Sequence, residues 1–231
     1  MSLKINLSWK KVTKWSIVGL LGLLFLIFFI RVATWEGAYY SEKEGSERAQ
    51  VEETEPEEEE LVEVAPTEEE VVEWTVAADR PRYLSVEKLG ITNARVIPVG
   101  INANGELGTP NNIFDVGWYE SSGKPGVGKG TMVIDGHNGG PHVLGVFKNL
   151  PDLAAGDIIV IERGDGEVFR YSVVENVEVS IEESDSYMAT AMRSPEVGRE
   201  SVTLISCTGE WSQSRGTYLS RQFVRAVLLE S

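Results

Sequence analysis

Cysteine occurs once in the chain, at Cys207, and histidine twice, at His137 and His142. Cys207 ends a β-branched run, Val202-Thr203-Leu204-Ile205-Ser206, that has the length and composition of a strand. A polar loop follows. A second alternating run then sets Arg221, Phe223, Arg225 and Val227 on one face and Gln222, Val224, Ala226 and Leu228 on the other. Two neighbouring strands joined by such a loop bring the thiol within reach of Arg221, and a permanent cation favours the thiolate. His137 follows another strand, Met132 to Asp135, and sits among glycines, which suits a ring at a loop rim. His142 follows Pro141 and reads as a surface residue at the start of a short helix.

A thiol, an imidazole and a guanidinium supply a nucleophile, an acid/base and an anion stabiliser, which is what acyl transfer needs. The thiolate would attack a carbonyl to give a tetrahedral oxyanion and then a thioester. The histidine would protonate the departing amine and later deprotonate the incoming nucleophile. Arg215 in the loop and Arg225 on the face of Arg221 are rival assignments for the cation. Asp135, beside the histidine, reads as a turn cap in preference to a group that tunes the imidazole.

These residues need strands to hold them. Tyr83–Leu89, Ala94–Val99, Met132–Asp135, Asp157–Glu162, Val168–Val174 and Asn176–Ile181 are strand candidates in addition to the two runs above, and Arg163 to Glu167 carries a Gly-Asp-Gly hairpin signal. His142–Leu153 and Ser184–Arg193 have room for one short helical segment each. About eight short strands with few helices predict a closed or sandwich-like β architecture of about 150 residues.

The formal charge of −15 is unevenly spread. Residues 1–35 contribute +5, residues 36–73 contribute −14, and the remainder is only mildly acidic, with no basic stripe to suggest nucleic acid. One cysteine excludes an internal disulfide or a cysteine-based metal cluster. No calcium-loop spacing is present, and neither a metal nor a cofactor is implied.

Residues 1–14 are basic, with four lysines. Residues 15–35 form an apolar run, interrupted by Arg31, that is long enough to span a bilayer. The lysines orient its N-terminus to the cytoplasm, and the run lacks a small-x-small cleavage site soon after Ile30, so an uncleaved membrane anchor is favoured over a signal peptide. Residues 36–80 are expected to be an acidic flexible linker, because so charged a segment cannot bury enough apolar surface to order itself. Residues 81–231 form the folded domain.

Thr203-Leu204-Ile205-Ser206-Cys207 followed by Arg221 resembles the TLxTC…R signature of sortases, and Ile134-Asp135-Gly136-His137 resembles their strand-end Gly-His motif. The likeness extends over about residues 82–229 through Val99-Gly100-Ile101, Val116-Gly117-Trp118-Tyr119, Gly145-Val146-Phe147 and Ala155-Gly156-Asp157, and is nearest to the class F group. It implies an eight-stranded sortase-type β-barrel with one or two short helices. It implies an extracellular, membrane-tethered cysteine transpeptidase that cleaves an LPxTG-like sorting signal of surface proteins and passes the acyl group to an amine of the cell envelope or of a pilin.

By motif position Cys207 is the nucleophile, His137 the acid/base and Arg221 the oxyanion or substrate-positioning residue. Ser206, Asn138 and Thr208 are expected in substrate binding. Ser206 stands where the family commonly has Thr. The alternatives are a thiol hydrolase on the same scaffold, with water in place of the amine, and a non-catalytic envelope-binding domain.

Overall fold

The computed structural model describes residues 64–103, 105–139 and 143–230. Strand β1 is Pro81–Val86, β2 Ile91–Val99, β3 Val116–Tyr119, β4 Gly130–Gly136, β5 Ile158–Arg163, β6 Val168–Ser180, β7 Glu200–Ser212 and β8 Thr217–Leu228. They close into a barrel in the order β1-β2-β3-β4-β7-β8-β6-β5, with β5 returning to β1. Closure leaves no continuous unpaired edge to recruit another chain. Six of the eight pairings are antiparallel; β2 with β3 and β4 with β7 are parallel.

Alternation along β7 sorts the two faces of the barrel wall. Val202 and Leu204 point inward with Met132 and Ile134 of β4 and Val224 and Ala226 of β8, and they pack around Trp118, Tyr171 and Leu84. Ile205 points outward with Val133 of β4, Phe223 of β8 and Val179 of β6, forming a second apolar cluster on the outer surface. Helix α2 (Ile181–Ala191) covers that cluster with Tyr187, Met188 and Ala191. The Tyr187 and Phe223 rings lie 4.8 Å apart. Thr203 Oγ1 donates to the Ala191 carbonyl at 2.7 Å and fastens the end of α2 to the sheet.

The strands number eight, as the pattern predicts, but their membership differs. Val168–Val174 and Asn176–Ile181 are one strand, β6, whose register shifts between Val173 and Glu175. Val116–Tyr119 is a strand in its own right.

The packed unit also starts earlier than residue 81. Helix α1 (Glu68–Glu73) opens with a capping box, in which Glu70 N donates to Thr67 Oγ1 at 3.2 Å and Thr67 N to Glu70 Oε2 at 2.8 Å. Arg82 donates to the carbonyls of Trp74 (2.7 Å) and Val72 (3.1 Å), the Tyr83 hydroxyl donates to the Val71 carbonyl, and Arg95 stacks over the Trp74 ring at 5.8 Å. Asn112 Nδ2 holds the Val64 carbonyl at 3.1 Å. These bonds correct the reading of residues 64–80 as flexible linker: the acidic residues cluster at a helix start, where negative charge is favourable, and the backbone carbonyls find barrel donors. The anchor read at residues 15–35 and the linker before residue 64 lie outside the described residues.

Candidate active site

Strand β7 is the one strand paired with both β4 and β8. On the β8 side, Cys207 is paired directly with Arg221. On the β4 side, the parallel register runs from Gly130 opposite Glu200 to Asp135 opposite Ile205, and His137 follows two residues on, as Cys207 does along β7. Between those two steps, Ser206 Oγ donates to the Gly136 carbonyl at 2.9 Å. Cys207 and Arg221 thus face each other across β7 and β8, and His137 directly follows the last residue of β4 on the other side of β7.

The chain after β4 folds back to fix His137. Gly145 N donates to the Asn138 carbonyl and Phe147 N to the His137 carbonyl, each at 2.9 Å. The return is so close that a Cβ on Gly145 would sit 2.2 Å from the His137 carbonyl oxygen, so a side chain is excluded there. The ring is oriented by His137 Nε2, which lies 2.8 Å from the Pro110 carbonyl oxygen. A carbonyl only accepts, so Nε2 carries hydrogen and Nδ1 is the nitrogen left to exchange a proton. The Pro110 contact has no signature in sequence, because a backbone acceptor in a loop is brought to the ring only by the tertiary fold.

Cys207 is half-buried. Burial pushes its thiol up, the Arg221 cation pulls it down, and the Asp135 carboxylate pushes it up again. Arg221 folds back along its own strand, donating to the Tyr218 and Ser220 carbonyls at 3.1 and 3.0 Å and to Thr217 Oγ1 at 3.3 Å. Among the described residues it makes no ion pair. Arg225, its rival on the same face, pairs with Glu175 and donates to the Arg193 carbonyl at 3.0 Å, so it clamps α2 to the sheet. Arg215 pairs with Glu182 at 2.6 Å on the surface. Of the three, Arg221 alone is both opposite the thiol and without a carboxylate.

Ser206, expected to contact substrate, is 3% exposed and uses its hydroxyl on β4, so it ties the site together from inside the barrel. Asn138 is buried, with Oδ1 lacking a partner. Thr208 is half-exposed beside the thiol and pairs with Ser220 of β8. His142 lies outside the described residues.

Asp135 does not cap a turn. Its side chain is on the outer face with Val133 and Ile205, it is 7% exposed, and Oδ1 has no hydrogen-bond partner. Oδ1 leans across β3 into the space a side chain on Gly117 would need: a Cβ there would lie 2.4 Å from it. Burial pushes the carboxyl up to about 8, offset only in part by its own backbone amide.

A family model for the sortase domain matches residues 84–229. No curated protein matches the chain. Among solved structures, the chain is similar to sortase C-1 of Actinomyces oris at 23% identity, covering 64% of this chain and 73% of that one, with a TM-score of 0.48. It is similar to sortase C of Streptococcus pneumoniae at 18% identity, covering 73% and 75%, with a TM-score of 0.49. It is also similar to a sortase D5 transpeptidase of Clostridium perfringens at 23% identity, covering 71% and 90%, with a TM-score of 0.46. These carry class C and class D names; the class F likeness is a reading of sequence motifs alone.

Proposed function

Since the chain belongs to the sortase family, whose members are cysteine transpeptidases, we propose that it is a membrane-anchored transpeptidase acting on an LPxTG-like sorting signal, with Cys207, His137 and Arg221 as its machinery. The observation that supports the assignment is the register that pairs Cys207 with Arg221, with His137 directly after the end of the neighbouring strand β4. In the first half-reaction the Cys207 thiolate attacks the scissile carbonyl carbon and Arg221 holds the developing oxyanion. The C–N bond breaks as His137 gives a proton to the leaving amine, which leaves a thioester on Cys207 and a neutral imidazole. In the second, an amine of the cell envelope or of a pilin attacks the thioester, the C–S bond breaks, and His137 takes up the proton the new amide sheds.

Surface proteins bearing the sorting signal are the acyl donors in this reading. The apolar run 15–35 would tether the domain to the outer face of the membrane with the N-terminus inside, and the acidic stretch up to residue 63 would space it from the lipid. The test uses the full-length protein in detergent, an LPxTG-type peptide library and a glycine oligomer, with products read by mass spectrometry. A ligated product that is absent in Cys207→Ala is expected. Cleavage without ligation under any amine would favour the thiol hydrolase, and absence of both thioester and cleavage would favour an envelope-binding domain.

A further inference from the structure

His137 takes its orientation from a backbone carbonyl, that of Pro110, 2.8 Å from Nε2. Such an acceptor is only as well placed as the loop that carries it, and this one lies between β2 and β3, outside both strands. Pro110 has no N–H with which to fasten itself. On one side β3 sets it: a Cβ on Gly117 would lie 3.0 Å from Pro110 Cδ, so the proline ring packs on the bare backbone of that strand. On the other side it is set by the turn that follows, and one side chain builds that turn.

Asn112 Oδ1 accepts from Phe114 N at 2.9 Å, and the Asn112 carbonyl accepts from Asp115 N at 3.2 Å. An asparagine that bonds the backbone two residues on closes a turn with its own side chain. At the other end of the amide, Nδ2 donates to the Val64 carbonyl at 3.1 Å. One partner only donates and the other only accepts, so the amide is held in a single orientation.

The far end of the turn is anchored. Asp115 is buried and receives Arg95 Nε and Nη2 at 2.9 and 2.8 Å. The Ile113 carbonyl accepts from Val146 N at 2.9 Å, and the next amide, Phe147 N, holds the His137 carbonyl. The acceptor of the ring and the backbone of the ring are thus referred to the same segment, Val146-Phe147. Only Asn111, which is exposed, and Asn112 separate Pro110 from this anchored stretch.

We propose that Asn112 is a positioning residue for His137, acting through the Pro110 carbonyl. With the carbonyl in place, the hydrogen of the neutral ring stays on Nε2 and the lone pair of Nδ1 is kept for the proton of the incoming amine. With the carbonyl displaced, the ring is free to rotate or to hold its hydrogen on Nδ1. Either change lowers the share of molecules that present a lone pair on the nitrogen the reaction uses.

This deepens the transpeptidase reading and rests on it, and the test separates the two. Full-length protein in detergent is labelled with 15N-histidine; the chain has two histidines, and His142→Gln assigns their ring signals. In the wild type the neutral ring of His137 is expected to hold its hydrogen on Nε2 alone. In Asn112→Ala a second population with hydrogen on Nδ1 should appear. Ligation of an LPxTG-type peptide to a glycine oligomer should lose about tenfold in kcat with KM for the peptide unchanged, since an acid/base supplies about 10²–10⁴-fold and only part of it is lost.

Asn112→Asp keeps the acceptor of the turn and should restore both readings. Asn112→Gln carries its amide one methylene too far for the turn; it should behave as Asn112→Ala does, and it serves in its place if that variant fails to fold. A lowered melting temperature with unaltered ring populations and kcat overturns the proposal, and so do equal losses in Asn112→Asp and Asn112→Ala. A wild-type protein that is acylated by no peptide overturns the transpeptidase reading, and the ring populations then decide the positioning by themselves.

Discussion

The Ser206 hydroxyl donates to the Gly136 carbonyl at 2.9 Å, and this bond joins β7 to β4 one residue before the thiol on one strand and the imidazole on the other. Both partners are buried, so neither is replaced by water when the bond is lost. Ser206→Ala is expected to cost about 1–3 kcal/mol in a urea melt, because the carbonyl is left unsatisfied. Transpeptidation should fall with it, since the relative placement of His137 and Cys207 loosens. A full stability loss with unaltered turnover would show that the bond does not align the site.

Arg221 and Arg225 share a face and should separate cleanly in experiment. Arg225→Ala breaks a clamp whose guanidinium is buried against Glu175 and the Arg193 carbonyl, and should destabilise the domain by about 3 kcal/mol. Arg221→Ala should melt close to the wild type but shift the pH profile of Cys207 alkylation upward, because the thiol loses the cation that favours its ionised form. Urea melts and iodoacetamide kinetics on the two variants check both statements.

Asp135 should make folding sensitive to alkali. Its carboxyl titrates near 8 in the folded chain and near 3.9 when unfolded, so between those values the folded state holds a proton that the unfolded state does not. The stabilisation is complete below about pH 4 and is lost as pH rises through 8. Asp135→Asn removes the term, and its melting temperature relative to the wild type should rise between pH 5 and pH 8.5, by the equivalent of about a few kcal/mol. A difference that stays flat with pH would mean the carboxyl is not held in its acid form.

The strap formed by residues 64–80 should be needed for full stability. A chain starting at residue 81 deprives Arg82, Tyr83 and Asn112 of the carbonyls they bond and Arg95 of its aromatic partner. It should melt lower than one starting at residue 62, by about 2–4 °C for each kcal/mol lost. Calorimetry on both chains decides.

The barrel was legible wherever strand alternation is backed by burial on one face. The split of β8 into an outward set with Arg221 and an inward set with Val224 is readable directly from the residues. β3 escapes a strand reading because four residues, one of them glycine, are too few to show a period. β6 reads as two strands because the register shift after Val173 reverses the pattern midway. Cys207 and Arg221 stand out as types at the ends of clear strands. The isolation of Asp135 does not, since an acid beside a glycine looks the same in sequence whether it caps a turn or lies buried across β3. The choice between Arg221 and Arg225 likewise needs Glu175, a residue 50 positions away in the chain.

The parallel pairing of β4 with β7 joins residues 70 apart in sequence, and no local hairpin can bring them together. Such a contact must meet its loop-closure entropy before any packing rewards it, so it is expected to form late. Until then the sulfur, even with Arg221 already opposite it in the β7–β8 hairpin, lacks the imidazole proposed to serve it. Chemical competence therefore becomes a certificate of finished folding: a nascent or misfolded chain would carry an idle thiol, harmless to the peptides around it.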